Sequence, residues 1–409
     1  MSYGRLQIGT LSADISRPAS NAIVRIMPRG REDQILDELI TDSSGQTPVI
    51  DLEAPPLEFS MDGTDKPYSE YDIQVILDGY EPQIIEGVQI LPNTIAYQDV
   101  RLRPVAGFYS QTRIISIREH TLWGVFPPKI SEDEVKALPP STGYVVLPDP
   151  VVPEFIVVHD GPPSNASAPN YWIPFADYIK NVACCEIYSN WPQATITANV
   201  LAILSFTLNR VYTEWYRGKG YPFTITSSTA YDHAFSYGRN IFSEISSVVD
   251  NIFTSFITRP GIRQPLFTQY CDGKNVTCPN WMTQWGSKAL GDQGYSAIDI
   301  LKSFYGQDIY LMQARKVDGI PVSYPGTVLQ MGSVGEHVRV IQEQLNGVSK
   351  NYPAIPKIRV DGTFGEETRI AVETFQDIFR LSSDGIVGFN TWYRLSHIYV
   401  AVTRMAELN

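Results

Sequence analysis

Several things are scarce in this 409-residue chain, and each scarcity excludes a function class. Histidine occurs five times (120, 159, 233, 337 and 397), with no H-x-x-x-H pair and no H-E-x-x-H, so a zinc amidase is poorly supported. Positive charge is short: 32 Lys and Arg stand against 44 Asp and Glu, which argues against a nucleic-acid binder with a basic footprint. No hydrophobic segment follows Met1-Ser2-Tyr3-Gly4-Arg5, so neither a signal peptide nor a membrane span is expected. Only four cysteines are present. Cys184 and Cys185 are adjacent and read as small buried hydrophobes. Cys271 and Cys278 lie in a Gly/Pro/Asn-rich loop and admit three states: a disulfide, half of a zinc site, or two free thiols. Without C-x-x-C spacing the metal signal is weak.

What is present is a chain with 43% apolar and 19% charged residues and no low-complexity tract, enough for two to four packed domains. The acidity is uneven. Residues 1–103 hold eight basic against seventeen acidic residues, whereas 326–409 hold eight against nine. The first stretch reads as all-β: Tyr71, Ile73, Val75 and Leu77 alternate on one face, and Asp78-Gly79 closes the strand. Together with the loop Thr41–Gln46, it resembles a carboxypeptidase-regulatory-type β-sandwich without chemistry of its own. Residues 104–153 read as a linker. Nine of 29 prolines fall between Pro127 and Pro163, so an extended, protease-accessible connector is expected, with a short helix over 131–138 capped by Ser131.

From Glu154 to about residue 320 strands and helices mix. Asn190-Trp191-Pro192 opens a helix, with Asn190 as its cap. Ile196, Val200, Ile203, Leu204, Leu208, Val211 and Trp215 then recur at helical spacing up to Gly218-Lys219-Gly220. A second helix is expected over 243–257. Near the C-terminus, Asp361-Gly362-Thr363-Phe364-Gly365-Glu366-Glu367-Thr368 returns as Asp384-Gly385-Ile386-Val387-Gly388-Phe389-Asn390-Thr391. Each unit is a turn feeding an amphipathic helix. With the helix marked by Val338, Ile341 and Leu345, three short helices form a compact domain over 326–409. The fold class is thus multidomain α+β: an N-terminal all-β sandwich-like prodomain, a central α+β module and a C-terminal three-helix domain.

Two resemblances give these units a function. Leu329, Gly332, Gly335, Gln342, Leu345 and Val360, with both repeats and Phe375, Gln376 and Trp392, resemble the peptidoglycan-binding domain of bacterial cell-wall enzymes. Glu186 through Asn199, containing Trp191-Pro192, is similar to the catalytic segment of the stage II sporulation protein D family of lytic transglycosylases, whose pattern reads E-x-x-x-x-W-P-x-E-A-L-K-A-Q. The likeness continues through Ser227–Asp232, Thr268–Gly273, Trp285-Gly286 and Leu301–Gly306. The order of units resembles the clostridial spore cortex-lytic enzyme family. That resemblance implies cortex peptidoglycan as partner, synthesis in the mother cell as a zymogen, spore localisation, activation by a subtilisin-like germination protease, and no cofactor.

One position departs from the family pattern. Where the resemblance implies a catalytic glutamate there is Ala194, and a methyl group can neither protonate a glycosidic oxygen nor deprotonate a hydroxyl. The resemblance therefore implies a silenced copy, with Glu186 as a second acidic position of the motif. Tyr231, Tyr270 and Trp285 are the aromatics chosen to line a sugar groove. Asp232-His233 and His159-Asp160 are dyads on paper only, since adjacent side chains seldom face one another. Two other functions stay open, a non-catalytic wall-binding protein and a hydrolytic muramidase or glucosaminidase.

Overall fold

The computed structural model describes residues 2–13, 17–105, 111–137, 149–314, 316–318 and 324–407, and shows a mixed α+β protein with several sheets. Two sheets build the N-terminal unit. In the first, β1 (Ser2–Ser12) pairs antiparallel with β4 (Ile50–Ala54) and parallel with β7 (Ile95–Leu102). The second runs β3 (Asp37–Ile40), β2 (Ile23–Pro28), β5 (Ser69–Ile76), β6 (Gln83–Ile90), β8 (Arg113–Ser116). The alternation in β5 holds, with Tyr71, Ile73 and Val75 buried and Leu77 half-buried. Asp72 breaks the pattern by being buried on the other face. Its carboxylate accepts from Arg29 and from the backbone of Gly30 and Gly87, and a register shift between Tyr71 and Ile73 makes room for this.

This unit is bound into the rest of the chain. The short strand Ile241–Phe242 joins the first sheet beside β7. Asn240 exchanges both hydrogen bonds with the backbone of Gln89, and Gln98 donates to Gly238 O. Between β4 and β5 lies α1 (Leu57–Asp62), ended by Gly63 in the left-handed region at φ 65°.

At the centre of the next unit stands α3 (Gln193–Tyr212), buried on nearly every side. It is packed by α2 (Phe175–Glu186), α4 (Ser243–Ile252), α5 (Gln284–Asp292), α6 (Ala297–Tyr305) and the strand Ser255–Thr258. A helix hydrophobic all round belongs in a core. Its length and apolarity would suffice to cross a membrane, but 83% of the relevant window is buried inside the protein. Three expectations change here. The residue before α3 is Pro192, with no side-chain cap, and Asn190 instead donates to Ser60 Oγ. The helix ends at Tyr212, leaving Trp215 beyond it. The second helix stops at Ile252, because the apolar run beyond it is the buried strand Ser255–Thr258.

The connector also differs from expectation. Residues 131–137 form no helix, and Leu138 lies outside the described residues, as do 106–110 and 139–148. The backbone groups of the described stretch are committed to the central unit instead. Ile130 N donates to Ala230 O, Phe267 N to Glu134 O, and the Gln264 side chain pairs with both N and O of Lys136. A charged cluster fastens this strap. Fully buried Arg210 donates to Asp232 at 2.7 Å and grips both oxygens of Glu132 at 2.7 and 3.0 Å, while Lys136 bonds Glu132 at 2.9 Å.

Burial alone would raise the Glu132 carboxyl pKa, but hydrogen bonds and charge from Arg210 and Lys136 overcome this and hold it lowered. A lowered folded value contributes stability above the unfolded value, roughly 4.3, and loses it as pH falls through the folded one. Glu132→Ala should therefore cost about 3 kcal/mol near neutrality by leaving buried cations under-compensated. In urea unfolding series the gap from the parent should close below about pH 4.

The C-terminal unit is built from α7 (Glu336–Val348), α8 (Glu366–Ile378) and α9 (Phe389–Glu407). Val338, Ile341, Leu345, Ala371, Val372, Phe375, Trp392 and Leu395 meet in its core.

Candidate functional site

Two helices and the turn between them set the site. Helix α2 ends at Glu186, whose successor Ile187 is extended, and the chain turns through Tyr188–Pro192 before α3 begins. The side chain of Glu186 is 3% exposed, yet it lines a small cavity of about 50 Å3. Neutral donors surround the carboxyl. Ala234 N donates to Oε1 at 2.9 Å, and Gln284 Nε2 donates to Oε2 at 3.1 Å and to the Glu186 carbonyl at 2.8 Å. Thr121 Oγ1, also 3.1 Å from Oε2, shares its single proton with Cys185 O.

Tyr270, Lys129 and Asp272 share the cavity wall with Glu186. Burial, and beyond it the negative charge of Glu186, push the Tyr270 hydroxyl well above its ordinary value, so it stays protonated. That hydroxyl lies 2.7 Å from His233 Nδ1. Burial drives His233 well below its usual range, which keeps the ring neutral. The Lys129 ammonium sits 4.8 Å from the Tyr270 ring centroid, donating to the carbonyls of Thr229 and Asp232. Burial lowers its pKa, and the charges of Glu186 and Asp232 oppose that shift. Asp272 uses its two oxygens on the backbone of Asn275 and Val276, holding the loop. Of the two carboxyls on this wall, Glu186 is the one not spent on its own loop.

The other sequence-derived candidates scatter. Ala194 lies in the first turn of α3, half-buried against the core, and is not among the cavity-lining residues. Tyr231 is also away from the lining, its carbonyl accepting from Arg210. Trp285 follows Gln284 but faces Trp191, 5.0 Å away between ring centroids. Asp232 and His233 point apart: Asp232 binds Arg210, Tyr216 and Thr226, while His233 reaches Thr207 and Tyr270. His159 pairs with Asn170, and Asp160 with Arg118 and Ser227. Neither pair forms a dyad. Cys271 and Cys278 are joined in a disulfide, with 6.0 Å between Cα atoms. Cys184 and Cys185 are buried free thiols. Thr121, Lys129 and Gln284 were missed by sequence reasoning. Lys129 sits after two prolines in the connector, and no spacing pattern ties it to Glu186.

In the C-terminal unit the repeat has a structural cause. Gln342 on α7 accepts from the backbone of Asp361 and Gly362, and donates to Asp361 Oδ1, Thr363 O and Thr368 Oγ1. Gln376 on α8 does the same with Asp384, Gly385, Ile386 and Thr391. Each Asp-Gly places its glycine at positive φ, 75° and 66°. The aspartate, the glycine and the threonine of each repeat are thus the partners of one glutamine.

Comparison with known proteins fits this picture. Residues 334–395 match the family model of the peptidoglycan binding domain. A zinc D-Ala-D-Ala carboxypeptidase of Streptomyces albus G is 40% identical over 77 residues, 18% of this chain and 28% of that protein. The chain therefore spans under a third of that relative's length. Among solved structures, the SleB N-terminal domain is 34% identical (TM-score 0.16), covering 18% of this chain and 93% of that one. A peptidoglycan-binding protein from Clostridioides difficile is 32% identical (TM-score 0.15), over 17% and 41% of the respective chains. The C-terminal unit is a peptidoglycan-binding domain. The protein that carries it is associated with the bacterial cell wall.

Residues 326–409 alone are expected to bind sacculi. Co-sedimentation of the purified fragment with sacculi checks this, and a fragment left in the supernatant would refute it.

Proposed function

We propose that this protein cleaves the glycan strands of spore cortex peptidoglycan as a lytic transglycosylase, made as a zymogen, with Glu186 as its acid and base. The carrying observation is Glu186 itself: a carboxyl fixed by Ala234 N and Gln284, opening on a cavity walled by Tyr270 and Lys129. In this reading Glu186 takes up a proton before the strand is cut and gives it to the glycosidic oxygen. It then takes the proton of the muramic C6 hydroxyl as that oxygen closes the anhydro ring. Gln284 and Ala234 hold the carboxyl in one orientation through both steps, and Tyr270 supplies a protonated hydroxyl beside it. The peptidoglycan-binding domain keeps the substrate near.

The zymogen half of the proposal draws support from the reach of the N-terminal unit. Its helix α1 sits on the turn that joins Glu186 to α3, with Ser60 O accepting from Trp191 Nε1 at 2.8 Å. The strap 127–129 forms a further stretch of the cavity wall. An activating protease would have to free both.

Ala194 favours a second reading, a wall-bound protein that only holds glycan. Two variants separate the readings in a chain freed of its N-terminal unit and assayed on cortex fragments by turbidity. If Glu186 carries the chemistry, Ala194→Glu changes lysis less than about ten-fold, whereas loss of the Glu186 carboxyl costs a full acid–base contribution, on the order of 10²–10⁴. Lysis that appears only with Ala194→Glu would establish the second reading for the natural chain.

A further inference from the structure

Three buried polar atoms cluster where α1 meets the central unit, and none of them has a hydrogen-bond partner among the described residues. They are Trp285 Nε1, Ser189 Oγ and Asn190 Oδ1. Orphaned polar atoms in a packed interface cost free energy, about 1–3 kcal/mol each, so one fold rarely keeps three together without use. Around them stand two indole faces, Trp191 and Trp285, tilted at 59° with centroids 5.0 Å apart, and the Tyr188 ring beyond. Gln284, which holds Glu186, immediately precedes Trp285.

The cover over this platform is polar and small. Ser60 on α1 sends its own hydroxyl proton to Leu57 O, so its oxygen accepts from Asn190 Nδ2 at 2.8 Å. The Ser60 carbonyl accepts from Trp191 Nε1 at 2.8 Å. At Gly63 a side chain would strike Trp285, since a Cβ there would fall 2.6 Å from Cζ2. Lys274 clamps the edge, its ammonium 3.5 Å from the Trp285 ring centroid and bonded to Asp62 O. A hydroxyl, a carbonyl and a thin flat contact against an indole are also what a pyranose with an acetamido group presents.

We propose that the Trp191–Trp285 platform is a binding subsite for an N-acetylhexosamine ring of the glycan strand, and that α1 occupies it in place of the sugar. The sugar's acceptor oxygens would satisfy Trp285 Nε1, and its hydroxyl and amide protons would satisfy Asn190 Oδ1 and Ser189 Oγ. The proposal rests on the glycan-cleaving reading of Glu186, but binding at the platform is measured apart from cleavage.

The test uses the full chain carrying Glu186→Gln, so that binding is read without turnover, with chitotetraose as probe and tryptophan fluorescence as signal. Lys274→Ala removes the exposed clamp, and Gly63→Val pushes α1 off Trp285. Matched thermal melts show that each variant is folded. Because apparent affinity scales with the open fraction, either variant should tighten chitotetraose binding at least about ten-fold over the parent. Adding Trp285→Ala should remove that gain. Lys274→Ala, the surface variant, keeps the test valid should Gly63→Val not fold. Affinity indifferent to α1, or a gain that survives Trp285→Ala, overturns the subsite. If Trp285-dependent binding appears but the same opened chain with Glu186 intact releases no cleavage products, the subsite stands and the catalytic reading falls.

Discussion

Glu186→Gln in a chain freed of its N-terminal unit should slow the clearing of cortex suspensions by about 10²–10⁴, the worth of one general acid–base group. Glutamine keeps the shape but cannot give up a proton to a glycosidic oxygen. It also brings its own N–H groups into a cage of donors, since Ala234 N, Gln284 Nε2 and Thr121 Oγ1 all approach the carboxyl. A stability cost of about 1–3 kcal/mol is expected from that mismatch. The comparison must therefore be made well below the melting temperature of the variant. Asp272→Asn serves as the contrast. It loosens the loop that Asp272 holds through Asn275 and Val276, but leaves the proposed acid in place.

The second large effect is expected at Gln376. Its amide makes five hydrogen bonds, tying α8 to the Asp384-Gly385 turn and to Thr391 at the start of α9. Alanine leaves the Asp384 and Gly385 N–H groups and the Ile386 carbonyl without that partner in a 1%-exposed site. The expected cost is about 3 kcal/mol, or roughly a hundred-fold in the folding equilibrium. Urea unfolding of residues 326–409 reads this directly, and retention on sacculi should fall with it. Gln342→Ala should behave alike, because Gln342 has the same role in the preceding repeat. A variant as stable as the parent would show that the unit recurs within the chain for some cause other than this bonding.

That repeat was legible in the sequence because one local unit occurs twice and its apolar residues keep a helical period. The β5 alternation was legible for the same reason. What escaped were features decided by distant residues. Asn190 satisfies every local rule for a helix cap, yet its amide goes to Ser60, from another region of the fold. The prolines at 127 and 128 pointed to an extended connector. They could not announce that the extended backbone is spent on Ala230, Gln264 and Phe267, or that Arg210 waits for Glu132. An apolar run such as Ser255–Thr258 reads as more helix until the neighbouring strand Tyr310–Gln313 is known. At the site, the motif drew attention to Ala194 because the family pattern carries a glutamate there. Burial and hydrogen bonding draw it to Glu186, eight residues earlier, where the fold gathers Gln284, Ala234 and Tyr270 from three later segments.

Glycan-strand cleavage through Glu186 is read from the soluble muropeptides that the processed chain releases from cortex peptidoglycan, analysed by mass spectrometry. The expected products carry 1,6-anhydro-muramic ends that disappear with Glu186→Gln and persist with Ala194 as it stands. Reducing ends would mean that water is the nucleophile and that the chemistry is hydrolysis. Anhydro ends undiminished by Glu186→Gln would show that Glu186 is not the catalytic acid.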